Sequence, residues 1–253
     1  MTQDLLLFAV GILVGAMNAV AGGGILIGFP VLLASGLSPI VANASSYVIV
    51  LPGLIASVFG YRKHLHTVPK KYMWLLVPCA IGAAIGSAIL KHTTSNKFEE
   101  LVPLLVFFAV VLFAIQPLLH FHLHKHLKTK SKRIKPLVWI GIALLPVSVY
   151  GGYFGAGFGF IMLAFLGFTK LKDVHKMNAV KNLSAIVICT VSIASLFSTG
   201  LINWHYALMM GTGCAVGGYY SSILTQRFTT HAIRVTVIIL GITTASYMAF
   251  QAL

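Results

Sequence analysis

The sequence predicts an all-α polytopic membrane protein of two inverted repeats, each with four hydrophobic segments, the first broken or re-entrant at a glycine-rich turn. Three observations predict it. Apolar residues make up 58% of the 253 and charged residues only 9%, with a mean hydropathy of +0.93, whereas soluble domains carry roughly 25% charged residues. Two glycine-rich breaks, Ala21-Gly22-Gly23-Gly24 and Gly155-Ala156-Gly157-Phe158-Gly159, interrupt apolar runs at matching places. The chain also aligns with itself, without a gap, at an offset of 135 residues.

Apolar runs, free of charge except for Lys181, mark eight segments at approximately 5–34, 39–60, 72–90, 101–119, 137–168, 177–199, 205–225 and 235–252. About 20 apolar residues span the roughly 30 Å of hydrocarbon as helix, and the short alternating segments of a barrel are not found. Segments one and five are too long for one crossing. The chain reads as one membrane domain, 1–253, with a first repeat at 1–119, a basic cytoplasmic connection at 120–136 and a second repeat at 137–253. The offset superposes Ala21 on Ala156, Gly22 on Gly157, Gly24 on Gly159, Asn43-Ala44 on Asn178-Ala179 and Cys79-Ala80 on Cys214-Ala215. The clustering of these matches and the order of segments, more than overall identity, carry the repeat, which is a signature of duplicated transporters.

The net charge of +14 comes from 18 Lys and Arg confined to short connections, which favours anchoring at the cytoplasmic face over nucleic acid as a partner. With eight crossings the basic residues divide ten to eight between the two sides. With segments one and five as re-entrant hairpins they divide sixteen to two, which satisfies the positive-inside rule. Each half then crosses three times, inverting the second half and placing both termini outside. A broken full-length helix is the alternative for segment one, whose first limb at 5–21 exceeds a half-helix. Asp4, with no basic residue before the first apolar run, argues against a cleaved signal peptide. Cys79, Cys189 and Cys214 lie in apolar stretches and read as packing residues, without disulfide or zinc spacing.

Non-helical backbone at membrane depth persists only where it is buried in protein or lines a water-filled cavity, so the breaks point to a transport site. New helices are expected at Gly24-Ile25 and Gly159-Phe160. Their N-termini present unpaired N–H groups and about half a positive charge, and two such ends together attract an anion without a buried cation. Three successive glycines impair a helix, whereas Gly11-x-x-x-Gly15 and Gly82-x-x-x-Gly86 read as close-packing devices. The following helices start at Ser38-Pro39 and Asp173-Val174, with good N-cap residues. From there Asn43, Ser46 and Tyr47, and their counterparts Asn178, Lys181 and Asn182, share one helix face. Ser46 and Lys181 fall roughly 12 Å along the helix. Such a polar stripe is expected to face a cavity, the competing reading being that Lys181 snorkels at the interface beside Lys176.

The run His120, His122, His124 and His126 is interleaved with lysines and reads as a solvated cytoplasmic loop, a metal site being the alternative. HExxH, GxSxG and paired intramembrane carboxylates are all missing, which disfavours an intramembrane enzyme. The four acids, Asp4, Glu99, Glu100 and Asp173, lie near segment ends, which disfavours a carboxylate proton relay in the membrane.

Spaced glycines in the first segment, then Gly22-Gly23-Gly24, Pro30, Ala42-Asn43-Ala44-Ser45-Ser46 and a basic turn after Tyr61, resemble the sulfite exporter TauE/SafE family. The resemblance covers essentially the whole chain and is stronger in the first half. It implies transport of a small anion such as sulfite, a sulfonate or a related organic anion. It carries the family's glycine motif onto Gly22, Gly23, Gly24, Gly157 and Gly159, and its small polar positions onto Ser45 and Ser46. The second half departs from the pattern: Phe158 interrupts the glycine triplet, Phe165 stands opposite Pro30, and Lys181-Asn182 replace small hydroxyl residues. The expected protein is a secondary transporter working by alternating access, with a small anionic substrate and the lipid bilayer as partners, no cofactor, and a homo-oligomer left open. Its expected substrate-binding residues are Gly22, Gly23, Gly24, Asn43, Ser45, Ser46, Gly157, Gly159, Asn178, Lys181 and Asn182. The alternatives are a metal-ion permease using the histidine run and an intramembrane enzyme.

Overall fold

The long first and fifth segments each resolve into two helices that fold back on one another. The computed structural model describes residues 2–128, 137–167, 169, 171 and 173–224, without the side chains of 2 and 112–128. Every regular element among them is helical: α1 (Thr2–Val20), α2 (Ile25–Ala34), α3 (Pro39–Gly60), α4 (Arg62–His66), α5 (Leu76–His92, entered through a 3-10 turn at Lys70–Leu75), α6 (Ser95–Lys128), α7 (Leu137–Tyr153), α8 (Phe158–Gly167), α9 (Val174–Leu196) and α10 (Trp204–Leu224). Four described stretches, Gln3–Val20, Pro39–Gly60, Lys70–His92 and Val174–Thr199, are long and apolar enough to cross a membrane. Helix α6 runs on past residue 119, so the backbone of the histidine run is helical rather than a loop as far as Lys128. The rest of the basic connection, Lys170, Lys172, Arg227, Arg234 and segment eight lie outside the described residues.

Glycines set the helix pairing by letting backbones touch. A Cβ on Gly11 or Gly15 would land on the carbonyl oxygen of Met210 or Cys214, and the Ser221 hydroxyl donates to the Ala16 carbonyl. The numbers rise together, so α1 and α10 run parallel. Gly82 lies against Ser148 and Gly86 against Val149, so α5 and α7 are parallel in the same way. Both GxxxG motifs therefore do the packing expected of small residues. By contrast, α3 and α9 are antiparallel, with Tyr61 beside His175 and Ser57 bonded to Asn182.

Segment one is a hairpin. Gly28, in α2, faces Val14 in α1, and the Tyr206 hydroxyl donates to the Ser35 carbonyl after α2 while accepting from Gln3 Nε2 at the start of α1. Segment five does the same, since Leu166 and Leu171 share a buried cluster with Ile140 near the start of α7. His64 Nδ1 lies 3.8 Å from Asp173 Oδ2, so the turn after α3 and the start of α9 share one end of the molecule. That proximity fits hairpins and opposes eight crossings, which put the two connections on opposite sides.

The predicted helix starts at Pro39 and Val174 are both observed. Asp173 caps α9 through its carboxylate, accepting from His175 N at 2.8 Å and Lys176 N at 3.4 Å. Ser38 occupies the N-cap position of α3 without a side-chain bond. There the proline at the first helical position, with no N–H to satisfy and a preset φ, does the work.

Candidate functional site: two glycine breaks around one cavity

The two breaks meet. Gly22 and Gly157, paired by the sequence offset, both hold left-handed backbone, with φ of +90° and +83°, and Gly155 has φ of +77°. L-residues avoid this region. Gly22 also abuts Gly159: a Cβ on either would lie 2.6 Å from the Cα of the other. Gly23 is pressed by the Phe160 ring and Gly24 by the Val14 carbonyl, while a Cβ added at Gly157 would meet Ala109 in ordinary contact at 3.4 Å. The short helices begin at Ile25, as expected, and at Phe158, one residue before the expected Gly159. The Gly24 N–H donates to Asn18 Oδ1 at 3.3 Å, but the N–H groups of Ile25 and Gly159 have no partner among the described residues.

Ile25 and Gly159 border a cavity of about 30 Å³, room for one or two water molecules. Asn18, Gly22, Ile25, Tyr47, Gly159 and Lys181 line it, with Val50, Leu54, Phe158 and Ile188 making most of the wall apolar. Helix starts supply partial positive charge here, and Lys181, 1% exposed, brings the one basic side chain on the wall among the described residues.

The polar stripes on α3 and α9 each serve the interrupted helix of the opposite half. A helix that stops in a low-dielectric setting leaves its last carbonyls without partners. At the end of α7, Asn43 Nδ2 donates to the Tyr153 carbonyl at 2.9 Å and the Tyr47 hydroxyl to that of Gly151 at 3.1 Å. At the end of α1, Lys181 Nζ donates to the carbonyls of Asn18 and Ala19 at 2.9 and 3.2 Å. Asn182 Nδ2 donates to Ser57 Oγ at 2.7 Å and to Ala19 O at 3.4 Å.

Of the eleven expected site residues, only Gly22, Gly159 and Lys181 form the cavity wall. Gly23, Gly24 and Gly157 shape the breaks behind it. Asn43, Asn178 and Asn182 are buried nearby, each with an unpartnered Oδ1. Ser45 accepts from the Asn203 N–H at 2.9 Å, tying α3 to the approach to α10. Ser46 donates to Ala42 O within its own helix. The sequence reading missed Asn18, whose only signal is a polar residue in the last turn before the glycines. No group of three or more His, Cys, Asp or Glu placed to hold a metal occurs among the described residues.

Two apolar hairpins whose glycine breaks touch around a cavity with a buried lysine define a membrane transport protein. The chain belongs to the sulfite exporter TauE/SafE family, whose model matches residues 7–248. It is 27% identical to a "probable membrane transporter protein" of Haemophilus influenzae over 256 aligned positions, covering 97% of this chain and 94% of that protein. It is also similar to the "probable membrane transporter protein ORF9" of a Sinorhizobium species, 25% identical over 85% of this chain and 80% of the relative. A third relative, the "probable membrane transporter protein YfcA" of Escherichia coli K12, is 26% identical over 78% of this chain and 73% of its own length. No solved structure matches the chain.

Proposed function

We propose that the protein is a secondary transporter that moves a small anion, such as sulfite, a sulfonate or a related organic anion, across the cytoplasmic membrane by alternating access of two inverted halves. The contact of Gly22 with Gly159 carries this reading, because it brings the starts of α2 and α8, with free amides at Ile25 and Gly159, to one cavity. Helix starts favour negative charge, and Lys181 on the wall adds to that preference. The inverted relation is supported by the antiparallel run of the corresponding helices α3 and α9, while α1 with α10 and α5 with α7 each join the first helix of one half to the third long helix of the other. Purified protein in liposomes is expected to take up sulfite or a sulfonate saturably, with the anion recovered unmodified inside. Uptake of a divalent metal instead, lost on deleting 120–126, would establish the permease alternative.

The hairpin topology puts the basic turn 62–71, the connection 120–136 and the regions 170–176 and 227–234 in the cytoplasm, with both termini outside. Single cysteines at Lys63, Lys130 and Lys172 are expected to react with a membrane-impermeant thiol reagent only after the inner face is opened, and one at Gly36 without it. Lys130 and Lys172 labelled from opposite sides would contradict the arrangement.

A further inference from the structure

The ends of α1 and α7 are both interrupted inside the protein, yet they are neutralised differently. Uncharged donors, Asn43 and Tyr47, reach the end of α7. A lysine amino group, Lys181 Nζ, sits on the end of α1, 2.9 Å from the Asn18 carbonyl and 3.2 Å from that of Ala19. No carboxylate lines the adjoining cavity, so the charge partner of Lys181 is the helix end itself, which carries about half a negative charge. The positional counterpart of Lys181 is Ser46, whose hydroxyl turns back to Ala42 O, so the cation belongs to one half alone.

An ammonium has three N–H donors. Two are placed on carbonyls, and no third partner occurs among the described residues, while Lys181 forms part of the cavity wall. Carbonyls at the C-terminal ends of interrupted helices are the kind of oxygen set that holds a monovalent coupling cation in discontinuous-helix transporters. Two further buried acceptors, Asn178 Oδ1 and Asn182 Oδ1, stand unpartnered on the same helix. The other titratable groups on the cavity are Tyr47 from α3 and Cys189 from α9; α1, α2, α7 and α8 bring none to it, and α5 packs Cys79 against α9.

We propose that the end of α1 is a monovalent-cation site that the chain fills with its own Lys181 ammonium, and that the transported anion completes the coordination of this ammonium from the cavity. The second clause rests on the anion-transport reading, whereas the first stands on the geometry of α1 and α9. Removing the side chain leaves two carbonyls aimed at a vacated volume that a small diffusible ammonium fits.

The test uses the full chain in detergent and compares wild type with Lys181→Ala by thermal unfolding in ethylammonium chloride or choline chloride at equal ionic strength. The variant is expected to melt several degrees below wild type, and ethylammonium to recover at least half of that loss saturably, with choline inert and wild type unmoved. Equal shifts in both proteins, or none in the variant, would overturn the cation site. Should Lys181→Ala not accumulate, Lys181→Arg is expected to melt near wild type and Lys181→Gln several degrees lower; equal melting of the two would overturn it as well. In liposomes, ethylammonium is expected to restore sulfite uptake to Lys181→Ala. Recovered melting without recovered uptake, where wild type takes up sulfite, overturns the anion clause and leaves the cation site standing. Failure of wild type to take up sulfite counts against the transport reading, and the melting comparison still decides the cation site.

Discussion

Gly22→Val is expected to abolish anion uptake while the protein still reaches the membrane, and Gly157→Val to do the same from the other half. At φ of +90° and +83° any L-residue pays roughly 1–2 kcal/mol, and a β-branched one more, because its stiff side chain crowds the backbone. At Gly22 a larger effect follows. A Cβ there meets the Gly159 backbone at 2.6 Å, and no rotamer change moves a backbone aside, so the two breaks must part. Displacing them by about an ångström misaligns both sets of amides, and a misplacement on the order of 3 kcal/mol lowers the rate about a hundredfold. Gly36 is the control. It has φ of +87° with nothing within 4 Å of an added Cβ, so Gly36→Ala is expected to cost about 1 kcal/mol of stability and leave uptake within about twofold. Similar losses of uptake in Gly36→Ala and Gly22→Val would reduce the contact to a matter of backbone strain.

The second large effect is expected at Lys181. Lys181→Met keeps the apolar stem and removes the amino group, stranding the Asn18 carbonyl at a cost of about 1–3 kcal/mol and leaving the Ala19 carbonyl only its longer bond from Asn182. Anion affinity is expected to fall roughly 10- to 100-fold, the equivalent of one charged hydrogen bond. Lys176→Met is expected to change affinity less than about twofold: the Lys176 side chain makes no bond among the described residues, and its backbone N–H meets the Asp173 cap. Anion titrations of both variants, with circular dichroism to confirm helical content, separate these outcomes. Equal and small changes would make Lys181 an anchor without a part in binding.

Much of this molecule was legible in the residues, and the rest was hidden for identifiable reasons. The glycine breaks could be read because glycine alone tolerates left-handed backbone, and the offset that pairs Gly22 with Gly157 by letter also pairs them by φ. The start of α9 could be read because Asp173 caps locally, through amides two and three residues on. Ser38 shows the limit of that logic, since proline at the next position makes the side-chain bond dispensable. Helix periodicity gave the face of Lys181, but left its place open between a cavity and the interface, and its partners could not be read. Periodicity puts Asn43 and Tyr47 on one face of α3, and Lys181 and Asn182 on the matching face of α9, without saying that each face meets the carbonyl end of an interrupted helix more than a hundred residues away. The same limit concealed Ser45, whose partner is the backbone of Asn203, and Asn18, which gains meaning only when its side chain caps Gly24 and its carbonyl receives a lysine. Self-alignment identified equivalent positions, while the crossed pairing of α1 with α10 and of α5 with α7 emerged only in three dimensions.

Equilibrium binding to the purified protein, using the tightest anion from a competition panel of sulfite, sulfate, sulfonates and carboxylates, tests most directly whether both breaks build one site. One saturable site per chain is predicted, lost alike in Gly22→Val and in Gly159→Val, because each substitution drives the same two backbones apart. Two independent sites, each removed by only one of the substitutions, or binding that survives both, would contradict it.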